Sequence, residues 1–527
     1  MGASDPPVPE LADVATACAR RLLAADRVLL ASHIDADGLT SAAVASTALE
    51  RAGIPFETVF FDQLDEEGVA ALAATDYDTV LLTDFGSGQL DVVAEYEAAG
   101  AFTPVVCDHH RPADAETEYH LNPLLFGIDG ASELSGAGAA YVLARAMAAA
   151  GAGPTAGTEG ATRTGESARA EQDEDDGGGD GIASVPAGPP PATDGGRGGT
   201  LAAPDPHNRD LAALAVVGAV GDMQASGGEL VGANAAIVEE GVEAGAVETG
   251  RDLALYGKQT RPLPKLLEYA SDVHVPGISN DEAGTIRFLD DLPVDLKADG
   301  EWRRWVDLTA EERRTVVSAL VREAIDRGVP ARKVEELVGT TYTLPREPEG
   351  TELRDASEFS TLLNATARYD RADVGLAVCL GDRDAALRRA RRLLANHRRN
   401  LSQGLEVVKQ EGVTREEHVQ WFDAGDRIRE TIVGIVAGMA VGTEGVDRGT
   451  PIVAFARKSD EETKVSARGT PGLVRRGLDL SAVMGEAACE VGGDGGGHDV
   501  AAGATIPAGE ERAFVEAADR VVGEQIG

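Results

Sequence analysis

The sequence predicts an α/β fold: a parallel sheet with crossover helices, joined across a cleft to a smaller C-terminal α/β domain. Three observations carry this. Between residues 27 and 150, short apolar runs alternate with helix-length segments, the signature of strands joined by crossovers rather than by hairpins. Three of those runs end in His or Asp: Ser32-His33-Ile34-Asp35-Ala36-Asp37-Gly38, Thr83-Asp84 and Cys107-Asp108-His109-His110. A second alternation occupies residues 411–527 and contains the Gly-rich run Gly492-Gly-Asp-Gly-Gly-Gly-His498, whose 495–498 part reads as a loop.

Taken in order, the apolar run 28–31 predicts the first strand, 39–52 a helix, 56–61 a strand, 65–74 a helix, 79–82 a strand and 103–106 a strand after a further helix. Glu133-Leu-Ser-Gly-Ala-Gly-Ala-Ala-Tyr141 opens a small-residue helix toward residue 150. In residues 151–206 Gly, Ala, Pro, Ser and Thr dominate around an acidic run at 171–180. Such a stretch buries too little apolar surface to order itself and is expected to be a disordered insertion. Helical periodicity returns at 208–220, ends in Gly221-Asp222-Met223, and resumes at 234–247, closing a first domain at residues 1–250. Residues 251–370 read as a mostly helical accessory region, with Trp302 and Trp305 and an amphipathic helix at 310–327. Residues 371–410 read as a basic linker helix, either a solvated interdomain element or a guide for a phosphate backbone. In the last domain, 411–527, strands are expected at 428–435, 451–456 and 463–467 and a helix at 481–489.

Composition narrows the class. The 527 residues suffice for several domains with large cores. Cys18, Cys107, Cys379 and Cys489 stand far apart without a CxxC pair, which argues against a zinc knuckle or disulfide framework and fits a reducing cytoplasm. No signal-like N-terminus and no apolar run long enough for a membrane span is evident. The net charge of −41, with Arg far outnumbering Lys, reads as a halophilic surface that stays hydrated in concentrated salt. At molar salt the Debye length is only about 3 Å, so the overall acidity does not exclude a nucleic-acid substrate.

The chemistry gathers at the strand ends, where ligands collect in parallel α/β sheets. His33, Asp35 and Asp37 alternate just past a strand, so all three can face one cavity; Asp84 and the Asp108-His109-His110 triplet add carboxylates and imidazoles. A single Asp at a strand end is commonly a helix cap, but three such ends argue for a shared centre. Carboxylates with one or two histidines and no thiolate suit Mn²⁺ or Mg²⁺ better than zinc. Two such ions suit attack on phosphorus.

Together, His33-Ile-Asp-Ala-Asp-Gly38, Asp84, Asp108-His109-His110 and Gly495-Gly-Gly-His-Asp-Val-Ala-Ala-Gly503 resemble the DHH/DHHA1 phosphoesterase superfamily, and within it the archaeal RecJ-like exonucleases. The resemblance implies a DHH domain at 1–250 and a DHHA1 substrate-binding domain at 411–527. It implies two Mn²⁺ or Mg²⁺ ions held by His33, Asp35, Asp37, Asp84, His109 and Asp222, with Asp84 bridging. It makes Asp108 a support for its neighbours and His110 the group nearest the scissile phosphate. Arg468, Gly495, Gly496, Gly497 and His498 would bind the nucleotide end, the glycines by letting backbone approach a phosphate. The implied function is two-metal exonucleolytic hydrolysis of single-stranded DNA or RNA, in DNA repair or replication. Two alternatives follow from the same resemblance: a phosphodiesterase for short oligoribonucleotides or cyclic dinucleotides, and a replisome scaffold that binds GINS. Retention of every ligand position argues against a scaffold alone.

Overall fold

A computed structural model of the chain describes residues 5–151, 183–185, 204–225, 228–270, 273–443 and 445–527. It divides into two units, 1–390 and 391–527.

The first unit begins with helix α1 (Ala12–Leu23) and then alternates: β1 (Val28–His33), α2 (Ala36–Ala52), β2 (Phe56–Phe61), α3 (Glu66–Ala73), β3 (Thr79–Thr83), α4 (Leu90–Ala98), β4 (Thr103–Cys107), β5 (His120–Leu121) and α5 (Gly136–Gly151). All five strands run parallel, in the order β5-β4-β3-β1-β2. Strand β3 is buried along its whole length, as the middle of a sheet covered on both faces must be. Leu72, Val69, Leu90 and Val93 from α3 and α4 pack on one face with Leu29, Val80 and Leu82. Helices α2 and α5 lie against one another, and α5 lies against α1. From β1 the chain crosses to β2 on one side, then returns to β3 on the other, so the connections diverge between β1 and β3. Such a switch point leaves a crevice at the carboxyl ends of the strands.

The expected disordered insertion falls almost wholly outside the described residues. Within it residues 151, 183–185 and 204–206 are described, and 183–185 form β6 (Ala183–Val185), antiparallel to the edge strand β2. Helices α6 (Ala212–Gly221) and α7 (Gly232–Glu243) follow, and α6 packs on α2 and α5.

The region read as accessory starts with β7 (Glu248–Leu253), paired antiparallel with β8 (Val338–Thr343). Between them, helices α8 (Leu263–Glu268), α9 (Glu282–Asp290), α10 (Ala310–Asp326) and α11 (Ala331–Glu335) enclose their own core around the fully buried Trp305. The next two helices, α12 (Ala356–Ala367) and α13 (Ala372–Cys379), return to the first domain, α12 packing on α6 and α13 on α2. The basic helix is α14 (Ala385–Glu411), which passes from the first unit into the second.

In the second unit the sheet is mixed: β9 (Thr414–Arg415), β10 (Gln420–Asp423), β11 (Ile452–Arg457), β12 (Glu462–Arg468), β13 (Asp494–Gly497) and β14 (Ala501–Pro507), in the order β9-β10-β11-β12-β14-β13. Two expectations are corrected here. The apolar run at 428–435 is not a strand but part of helix α15 (Glu430–Ala440), whose Ile432, Val433, Val436, Ala437 and Ala440 bury one helical face; short Ile/Val runs do not declare their period. The Gly-rich run is not a loop: Asp494–Gly497 is an edge strand paired along its length with β14, and only His498 onward turns. Helices α16 (Leu480–Glu490) and α17 (Glu511–Ile526) cover one sheet face, and α15 packs on β11 and β12 from the other.

Candidate metal centre

The crevice between β1 and β3 receives His33 from the end of β1, Asp35 and Asp37 from the start of α2, and Asp84 from the end of β3. The buried hydroxyls of Ser32 and Thr83 tie the two strands there, 2.8 Å apart, and Ser32 also donates to the Gly38 carbonyl at 2.8 Å. Asp35 caps α2 by accepting the Gly38 N–H at 2.9 Å, an N-cap role that also fixes where its carboxylate stands. The Asn364 side chain of α12 accepts the Ala36 N–H at 3.0 Å and steadies the same loop.

Asp37 accepts the N–H groups of Gly136 (2.7 Å) and Ala137 (3.0 Å), the first residues of α5, so the positive end of that helix faces a buried carboxylate. This approach requires glycine at two places. A methyl on Gly136 would fall 2.2 Å from Asp84 Oδ1, and one on Gly218 of α6 would fall 2.3 Å from Asp37 Oδ1. Asp84 itself has a left-handed backbone, φ 61°, tolerated by Asp, which carries its carboxylate into the crevice.

The two histidines use opposite nitrogens. His33 Nε2 lies 3.0 Å from the Asp62 carbonyl, which can only accept, so Nε2 carries a proton and Nδ1 faces Asp35 (3.2 Å) and Asp84 (3.6 Å). His109 Nδ1 donates to the Gly130 carbonyl at 2.7 Å, leaving Nε2 to face Asp84 (3.2 Å) and Asp37 (3.8 Å). His110 is 56% exposed at its side chain, with Nδ1 2.8 Å from Asp108 Oδ1 and Nε2 left outward. Asp108 is fully buried and saturated: it accepts from the N–H groups of Ser87, His109 and His110 as well as from the His110 ring.

Electrostatics mark a surplus of negative charge. Burial raises Asp37 well above the ordinary carboxylate range, and the nearby Asp84 and Asp222 add to this; burial also raises Asp222. Burial opposes charge on His33, yet hydrogen bonding to Asp35 and Asp84 outweighs it and lifts the ring to about 11. Burial opposes charge on Asp108 too, but hydrogen bonding to His110 brings it down to about 2. Asp37, Asp222 and His33, which hold their protons tightly, occupy a site where a cation can replace those protons.

Ligand-capable atoms converge in three groups, each within 4.8 Å: His33, Asp35 and Asp84; Asp37, His109 and Asp222; and Asp84, Asp108, His109 and His110. Asp84 belongs to two of them; its buried Oδ1 receives no hydrogen bond of good geometry and faces His109 Nε2 at 3.2 Å, the nitrogen left without a proton when Nδ1 donates to Gly130. Two electron-pair donors facing one another among O and N groups without thiolate fit a divalent cation of the Mn²⁺ or Mg²⁺ kind between them. Cys107, next to Asp108, is no competing ligand, because burial pushes its thiol well up.

Sequence reading missed the supports. Asn122, fully buried, donates to the Ser87 hydroxyl (2.9 Å) and the His110 carbonyl (2.8 Å), and the same hydroxyl meets His120 Nε2 at 2.9 Å. Gln224 donates from one amide nitrogen to Asp222 Oδ2 (2.9 Å) and to the Gly130 carbonyl (2.8 Å), and accepts from Asn234 at 2.5 Å. None of these lies at a strand end in an acidic or histidine-rich motif; only the proximity of Gln224 to Asp222 was a signal.

The residues expected to bind the nucleotide end all lie in the second unit. Arg468 ends β12, opposite Ala501 of β14, and Gly497 opposes Ala502, so Arg468 and the Gly497–His498 turn share one end of the sheet. The three glycines differ. A methyl on Gly495 would fall 2.7 Å from the Met484 carbonyl of α16, and Gly497 has φ 139°, whereas Gly496 meets nothing closer than Ser481 Oγ at 4.0 Å.

A parallel α/β domain with an acidic, histidine-bearing centre at its switch point, followed by a mixed-sheet domain, defines a class of phosphoesterases, and the comparisons agree domain by domain. The DHH family N-terminal domain matches residues 27–161, the DHH-CID domain residues 255–338 and the DHHA1 domain residues 418–524. The chain thus carries the domains of the DHH/DHHA1 phosphoesterases. An uncharacterized protein of Methanocaldococcus jannaschii is 26% identical over 503 residues, covering 94% of this chain and 93% of its own. RecJ from Thermus thermophilus in complex with Mn²⁺ is similar in structure with a TM-score of 0.55 at 18% identity, over 98% of this chain; the chain spans only 55% of that protein. An exonuclease RecJ bound to manganese gives 0.54 at 17% identity, over 98% of this chain and 95% of its own. CDC45 from Entamoeba histolytica gives 0.61 at 10%, over 97% and 98%. At these identities the solved structures speak for the fold. Among the described residues no helix is long and apolar enough to cross a membrane.

Proposed function

We propose that the protein is a divalent-cation-dependent exonuclease that hydrolyses single-stranded nucleic acid, DNA or RNA, from an end. The observation that carries this is the convergence of three ligand groups on a crevice in which Asp84 is shared and its Oδ1 faces His109 Nε2 without a hydrogen bond of good geometry. His33, Asp35 and Asp84 would hold one Mn²⁺ or Mg²⁺, and Asp37, Asp84, His109 and Asp222 the other. When bound, the two ions supply activation of water and neutralisation of charge developing on phosphorus.

The chain's own residues do the rest. Asp108, fixed by four hydrogen bonds, holds the His110 ring with Nε2 outward, where it can donate to the scissile phosphate or to the leaving oxygen. His33 and His109 are locked in tautomer by the carbonyls of Asp62 and Gly130, so neither needs to reorganise. In the second unit Arg468, His498 and the glycines 495–497 are assigned to the nucleotide end.

The test is hydrolysis of end-labelled DNA and RNA 20-mers in high salt with Mn²⁺, beside a dinucleotide. Progressive release of mononucleotides from the 20-mer is expected. Asp84→Ala and His109→Ala should lose roughly 10³-fold or more in rate, as loss of a group that stabilises transition-state charge does, with an unchanged circular dichroism spectrum. Retained activity in either purified variant sinks the assignment; hydrolysis of the dinucleotide alone favours the small-substrate reading.

A further inference from the structure

The register of the second sheet puts a second cation beside Arg468. Side chains alternate along a strand and directly opposed residues share a face. Val465 and Ala467 of β12 belong to the core under α16 and α17, together with Ala502 and Ala504 of β14. Lys464, Ser466 and Arg468 therefore stand on the opposite face, with Ala501, Gly503 and Thr505 of β14 paired to them in register and Gly496 of β13 paired to Gly503.

Helix α15 overhangs only one end of this face. A methyl on its Gly434 would fall 2.5 Å from Arg468 Nη2 and 3.0 Å from Ser466 Oγ, so the missing side chain makes the room in which the guanidinium lies. Beyond that overhang the floor stays partly open among the described residues. Gly496, Ala501, Gly503 and Thr505 are all part-exposed, and Lys464 lies across Gly503, its Nζ 3.8 Å from where a methyl there would stand.

Lys464 is unusual in its pairing. The chain has seven lysines within a net charge of −41, and Lys258, Lys265, Lys297, Lys333 and Lys458 each meet a carboxylate. Among the described residues Lys464 and the exposed Lys409 of α14 have no such partner, although β12 itself carries Glu462. Lys409 is exposed on α14, whereas Lys464 is half-buried on the sheet face. An unpaired ammonium over a glycine floor, in so acidic a chain, calls for an anion from outside.

We propose that Lys464 binds a backbone phosphate of the substrate strand, a different phosphate from the one that Arg468 meets. Four residues along a strand separate the two by about 13 Å. That exceeds the span of one phosphodiester, so engaging both cations takes a strand several nucleotides long. Gly503 and Gly496 let the backbone of that strand lie flat on the sheet. Lys464 is thus a length-sensing contact that favours polymer over dinucleotide. The inference rests on the exonuclease reading and names its substrate more narrowly.

The experiment compares wild type, Lys464→Gln and Lys464→Arg on a single-stranded 20-mer and on a dinucleotide, with Mn²⁺, across a salt series. The KM ratio of 20-mer to dinucleotide should rise about fivefold in Lys464→Gln and stay near wild type in Lys464→Arg, since one phosphate contact is lost and then restored. The slope of log affinity for the 20-mer against log salt should fall by about 0.7, the share of one phosphate on a single strand. An unchanged ratio and slope in Lys464→Gln overturns the inference while leaving the exonuclease reading intact, as does an equal loss on both substrates. Failure of wild type to hydrolyse either substrate overturns that reading, and the inference falls with it.

Discussion

The two regions assigned to catalysis and to strand binding are built on opposite principles. In the metal centre the polar groups are held in fixed orientations: Asp108 accepts four hydrogen bonds, Asp37 takes two from the start of α5, and His109 is locked by Gly130. The face around Lys464 and Gly503 has few such restraints, and its floor is opened by two glycines, Gly496 and Gly503. Ligands must stand within a fraction of an ångström to hold cations correctly, so their support is over-determined. A surface that grips a flexible, repeating polyanion needs access and charge more than fixed geometry.

The largest effect that sharpens this contrast is expected at Gln224. One amide nitrogen serves both Asp222 and the carbonyl that orients His109. Gln224→Ala should weaken Mn²⁺ binding by roughly 10- to 100-fold, read by calorimetry, and excess Mn²⁺ should restore the rate with KM for nucleic acid unchanged. Equal Mn²⁺ affinity in the variant would mean that the ligands are held without it.

A smaller effect separates two adjacent glycines of the strand-binding region. Gly495→Ala collides with the Met484 carbonyl and should cost about 1–3 kcal/mol of stability in denaturant unfolding. Gly496→Ala has room and should leave stability within about 0.5 kcal/mol while raising KM for a 20-mer. Equal stability of the two would break the distinction between a packing glycine and an access glycine.

The smallest effect concerns Met223, at the end of α6 between Asp222 and Gln224. Its N–H meets the Val220 carbonyl and the Gln224 N–H meets that of Ala219, a helix-ending motif that usually has glycine at the left-handed position. Met223 is there instead, with φ 60° and 74% of its surface exposed. Met223→Gly should stabilise the protein by about 0.5–1 kcal/mol, seen as a small rise in Tm, with Mn²⁺ affinity unchanged because Gln224 keeps its position.

Much of the site was legible because it is local. His33, Asp35, Asp37, Asp84 and the 108–110 triplet each lie at or just past the end of a strand whose apolar run is visible in the chain. Helix α15 was misread for the converse reason: 428–435 is a short β-branched run, and only packing on β11 and β12 decides its period. The glycine run was misread because glycine has no side chain to reveal the pairing of β13 with β14.

The sequence by itself determined the alternation of strands and helices, the donors at the strand ends and the chemistry of the ions they suit, because these depend on residue identity and near-neighbour spacing; Asp222, far along the chain, entered only through the family resemblance. Only the tertiary structure decided which nitrogen of each histidine faces the centre, that Asn364 of α12 steadies the first loop, and that Gln224 and Asn122 support ligands on other segments. It also decided that Lys464 shares a face with Arg468, Gly496 and Gly503. These are contacts between residues far apart in the chain, set by the order in which strands join a sheet and by their register, and no local pattern encodes either.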